Sequence, residues 1–142
     1  SAASDVYKRQ VRGKELLRIN AKYYSVDVTL RNLIVGSTGR DTGHILENIV
    51  FLELIRRGYT VYVGQLAKGE VDFVAEKAGI TEYYQVSETV LDPNTLNREL
   101  APLEAINDQY SKFLLTLDEL NKNANYDGIQ QRNVLEWLLE SR

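Results

Sequence analysis

Between Thr42 and Val86 one strongly apolar helix is followed by three β-prone runs whose links are too short to hold another helix. Asp41 or Thr42 caps the helix, which runs to about Arg57 and stops at Gly58. Ile45, Leu46, Ile49, Val50, Phe51, Leu52, Leu54 and Ile55 cover most of its circumference, so it must be buried on more than one side. Residues 59–63, 70–75 and 81–86 then read as strands, and the Gly-containing links at 67–69 and 77–79 make them antiparallel neighbours.

Pro93 and Asn94 open a second helix, about 95–106, in which Pro102 predicts a kink or an early break. The apolar run 112–117 reads as a buried central strand, 118–127 as an Asn-rich loop, and 128–131 as a short strand. Val134, Leu135, Trp137, Leu138 and Leu139 make a terminal amphipathic helix. Upstream, 14–18 is a short mixed segment and 23–26 is β-prone. Asp27 caps a short helix through Leu30, Leu33 and Ile34, which Gly36–Gly39 breaks. The order is αβββαβ with additions at both ends, an α/β sandwich around a mixed sheet.

Composition narrows the chemistry. The 142 residues suit one domain with a real core. No window approaches the ~18 consecutive apolar residues of a membrane span, and no secretory signal is present. Without cysteine, and with one histidine, disulfides and zinc of the thiolate or imidazole type drop out. A metal would have to be a hard cation held by oxygens, Mg²⁺ or Mn²⁺. The net charge of −3 argues against a dedicated nucleic-acid binder. The basic residues near the N-terminus and Arg56-Arg57 read as solvated surface charges. The chain has no methionine, so it reads as a processed product or a fragment; residues 1–10 read as a tail or foreign sequence, with the domain over 11–142. Phosphate-loop, nucleophile-elbow and dinucleotide fingerprints are absent.

Three polar residues interrupt apolar elements: Glu47 in the helix, Asp72 in the second strand, Gln85 in the third. Glu47 shares a stripe with Val50, Phe51 and Leu54, an expensive place for an unpartnered carboxylate. Strand alternation puts Asp72 and Val74 on one side, with Val71, Phe73 and Ala75 on the other; Tyr83, Gln85 and Ser87 share a face. If Asp72 and Gln85 point the same way, they converge beneath the long helix near Glu47, where two carboxylates and an amide oxygen could hold one Mg²⁺ and activate water. Structural roles compete. Asp72 could cap a turn or pair with Arg98, Glu47 could accept from a tyrosine, and Gln85 could bridge strands. His44 reads as a packing or capping residue.

The order helix Glu, strand Asp, polar-x-polar strand resembles the site of PD-(D/E)xK nucleases. Gln85-Val86-Ser87 stands where an active enzyme has Glu-x-Lys, so Ser87 lacks the positive charge that stabilises the developing anion. Wider stretches carry a second resemblance: Gly43 through Leu54, Arg56 through Gly64, Glu70 through Ala75, Tyr84-Gln85-Val86, Arg98 through Leu103, and Leu114 through Asp118. Together, over about 11–140, they closely resemble the DUF4143 domain, the C-terminal part of prokaryotic AAA-type ATPases. That resemblance implies a restriction-endonuclease-like fold, a cytoplasmic setting, and an N-terminal ATPase domain acting in cis that this chain lacks. It implies Glu47, Asp72 and Gln85 as an ancestral catalytic and metal site, degenerate here, with weak Mg²⁺ binding at most. Three roles follow: a degenerate module for interaction or nucleic-acid sensing, a live Mg²⁺-dependent nuclease, or a homo-oligomerisation domain using Tyr59 and Tyr62.

Overall fold

A computed structural model describes residues 6–11, 14–20, 42–67 and 69–140, the first two segments as backbone only. One eight-stranded mixed sheet, in the order β1-β2-β3-β4-β5-β6-β8-β7, organises the molecule. Its strands are β1 (Val6–Val11), β2 (Lys14–Asn20), β3 (Thr60–Leu66), β4 (Gly69–Lys77), β5 (Ile80–Val86), β6 (Ser111–Thr116), β7 (Asn125–Tyr126) and β8 (Ile129–Asn133). Strands β5, β6 and β8 run parallel and the other pairings are antiparallel. The helices are α1 (Thr42–Arg56), α2 (Pro93–Glu104) and α3 (Val134–Leu139). The α/β class with a mixed sheet is as expected. No helix among the described residues is long and apolar enough to cross a membrane.

Several boundaries differ from the sequence reading. Residues 6–10, expected to be a tail, pair residue for residue with β2, and the mixed segment at 14–18 belongs to β2 itself. The expected strand at 23–26 and helix from Asp27 lie outside the described residues. Helix α2 runs through Pro102 and ends in the same turn at Glu104. Strand β7, within the expected loop, exists only through its pairing with β8.

Local chemistry sets the turns. Helix α1 ends in a Schellman motif: Tyr59 N–H donates to the Leu54 carbonyl and Gly58 N–H to that of Ile55, with Gly58 at φ 92°. Ala78 and Gly79, both at positive φ, close a two-residue hairpin between the paired Lys77 and Ile80.

Two apolar layers flank the sheet. On one face Leu46, Val50, Phe51 and Leu54 of α1 pack with Phe73, Ala75, Tyr84, Val86 and Leu115, joined by Val134 and Trp137 of α3. On the other, Leu100 and Leu103 of α2 pack with Val71, Val74, Tyr83, Leu114 and Ile129. Arg57, expected to be solvated, is buried. Its guanidinium lies 4.2 Å from the Trp137 ring centre, donates 2.7 Å to the Trp137 carbonyl, and binds Glu53 at 2.6 Å. This ties the end of α1 to α3.

Candidate functional site

The layer assignments show that β4 does not alternate as expected. Val71 belongs with Val74 on the α2 face, while Phe73 and Ala75 face α1. Register explains the switch: Tyr62 opposes Val74 and Gly64 opposes Val71, so Val63 faces both Asp72 and Phe73. One extra residue makes a β-bulge at Asp72, and a bulge moves every later side chain to the opposite face.

The bulge also parts β4 from β5. Backbone pairing stops at Phe73–Tyr84, and side chains continue it. Asp72 N–H donates to Gln85 Oε1 at 2.7 Å, and Val86 N–H donates to Asp72 Oδ2 at 2.8 Å. Gln85, itself buried, donates its Nε2 to the Glu99 carbonyl of α2 at 3.3 Å. Asp72 and Gln85 thus form one clasp joining β4, β5 and α2. They converge as expected. Gln85, however, reaches toward α2 rather than lying beneath α1.

Glu47 reaches this clasp through its field. Burial pushes the Asp72 carboxyl up to about 8; the Val86 N–H opposes the rise, and the charges of Glu47, Glu99 and Glu70 add to it. Burial also raises Glu47, which His44 at 3.6 Å draws back down and Glu70 pushes up. Glu99 is raised by burial and by Glu47 against the pull of Arg98. Sequence reasoning missed Glu70 and Glu99. Glu70 precedes Asp72 by one strand repeat, a usable signal; Glu99 joins only because α2 docks across the sheet.

The expected positive charge has no substitute in this clasp. Ser87 Oγ donates to the Thr89 carbonyl at 3.0 Å. Lys77 donates to the Arg57 carbonyl at 2.6 Å, over the Tyr59 ring, at the other end of β4. Arg98 acts on Glu99, not on Asp72 as the structural alternative supposed. His44, expected to pack or cap, is 79% exposed at its side chain and faces Glu47 instead. Tyr59 and Tyr62 are half-buried, Tyr59 packing on the α1 layer and Tyr62 on the α2 layer.

Mg²⁺ takes about six oxygens, usually one or two from carboxylates and the rest from water or substrate, so the side chains that hold it must converge with lone pairs to spare. Here Asp72 Oδ2 and Gln85 Oε1 already receive backbone N–H groups. Among the described residues no group of three or more His, Asp or Glu side chains is placed to hold a metal ion. The residues present do not fit Mg²⁺.

Over 130 residues the chain is 43% identical to an uncharacterised protein of Haemophilus influenzae, a match that takes in 92% of this chain and 32% of that protein. The chain therefore spans about a third of the relative's length. No family model matches the chain. No solved structure matches it either.

Proposed function

We propose that this chain is a catalytically silent module of a longer protein, a restriction-endonuclease-like domain of DUF4143 type that works by interaction. Its partner in cis would be an AAA-type ATPase domain in a prokaryotic cytoplasm. The observation that carries this reading is the clasp. Asp72 and Gln85, the two strand residues of the ancestral site, are committed to backbone hydrogen bonds that hold β4, β5 and α2 together. A catalytic carboxylate keeps its oxygens for metal or water, and of the two on Asp72 the Oδ2 is already engaged by the Val86 N–H.

Charge points the same way. Glu47, Glu70 and Glu99 press on Asp72, and no cation is among the groups that shift it. Phosphodiester backbones are drawn by basic surfaces, so this carboxylate field opposes nucleic acid. Interaction is therefore favoured over nucleic-acid sensing and over a live Mg²⁺-dependent nuclease. The length of the relative supports a module that serves a larger chain.

Calorimetric titration of Mg²⁺ and Mn²⁺ into the wild type and Asp72→Ala tests this directly. We expect no saturable binding at millimolar metal in either protein, and no metal-dependent cleavage of single- or double-stranded DNA or RNA. Saturable binding that Asp72→Ala removes, together with cleavage, would overturn the proposal in favour of the nuclease.

A further inference from the structure

Beyond the carboxyl ends of β5 and β6 the chain frames a groove with no part in the clasp. Residues 88–93 and 118–121 border a cavity of about 240 Å³ lined by Leu91, Leu96, Leu120, Asp118 and Gln131 among others. Leu91 is 54% exposed and Leu120 68%, so two large apolar side chains stand at one rim in water. Solitary exposed leucines are commonplace; a pair flanking a concavity is the usual mark of a contact surface.

The floor is polar and mostly satisfied. Gln131 accepts from the Tyr126 hydroxyl at 2.7 Å and donates to Thr116 Oγ1 at 3.4 Å. Asp118 is buried, and its Oδ2 receives the Val90 N–H at 2.8 Å. It has no cationic partner among the described residues. The framing segments contain Glu88, Asp92, Asp118 and Glu119, and neither lysine nor arginine. The next cation along, Lys122, is held by Glu119 at 3.3 Å and Glu136 at 2.6 Å. The groove is apolar at its rim, and Asp118 is the one carboxylate in its described lining.

Size and charge define an occupant. Small-molecule and cofactor sites usually run from about 300 to 1,000 Å³, so this cavity suits one anchoring side chain. Interfaces concentrate their affinity in such anchors, with arginine prominent among them. The larger cavity at the opposite ends of β6 and β8, about 530 Å³, lacks this complementarity because its Lys112 already binds Asp108 and Tyr110. We infer that the groove between residues 88–93 and 118–121 docks a protein segment in which an arginine or lysine is flanked by apolar side chains. The cation meets Asp118, and Leu91 and Leu120 cover its apolar neighbours. Phosphate-bearing ligands are repelled by the same Asp118 carboxylate.

A random peptide library displayed on phage, selected on the immobilised chain, tests the inference. We expect enriched peptides to share a basic residue beside an apolar one. Exchanging that basic residue for glutamine, or Leu120→Ser in the protein, should weaken binding about tenfold. Leu120 is exposed, so Leu120→Ser folds even where Asp118→Asn, which alters a buried acceptor, does not. No enrichment, enrichment of peptides without a basic residue, or equal binding to Leu120→Ser would overturn it. The inference rests on the interaction reading above, but the two fail separately. A blank selection with a blank metal titration removes only the groove, whereas metal-dependent cleavage removes the interaction reading.

Discussion

Asp72 carries the most consequential chemistry of any single residue. Its carboxyl titrates near 8 in the fold and near about 4 in an unfolded chain. Between those values the native state keeps a proton that the unfolded state has released, so stability falls as pH rises from about 4 to about 8 and then levels. Glu47 and Glu99, also raised, contribute in the same direction. Asp72→Asn keeps an oxygen for the Val86 N–H without the titration, so its urea midpoint should change less across that window and exceed the wild type's above pH 8. Parallel pH profiles for the two proteins would mean that Asp72 is ionised throughout. The convergence of Asp72 and Gln85 was legible in the sequence, because polar residues stood out in apolar strands. The identity of their partners was not. Glu99 enters through the docking of α2, which no local pattern encodes.

At the level of elements, the order of helices and strands from Thr42 onward followed from periodicity and turn chemistry. The bulge did not. Val71-Asp72-Phe73-Val74 accepts either facing, since apolar residues flank Asp72 on both sides, and one extra residue leaves no mark on a hydrophobic pattern. Strand β7 escaped for a related reason: two residues have no periodicity of their own. The end of α1, by contrast, was written in Gly58. Its φ of 92° is open to glycine and strained for other residues, and an added Cβ would sit 3.6 Å from the Lys77 side chain. Gly58→Ala should lower stability by about 1–2 kcal/mol, read from urea denaturation. An unchanged midpoint would mean that the helix end relaxes to another cap.

For the molecule as a whole, two helical layers pack on opposite faces of one sheet and depend on the same strands. Removing either would uncover the strands that support the other, so the described body should unfold in one step. The chain contains a single tryptophan, Trp137, fully buried at the junction of α1, α3 and β5. Arg57 lies over its ring, and Tyr84 meets it at 5.8 Å between centroids. Midpoints from indole emission and from far-ultraviolet circular dichroism should therefore coincide; separate midpoints would show α3 leaving before the sheet. The same placement gives the protein an intrinsic optical reporter on the face opposite α2. Any partner that levers α3 away from α1 will announce itself as a red shift in that one indole, without a label.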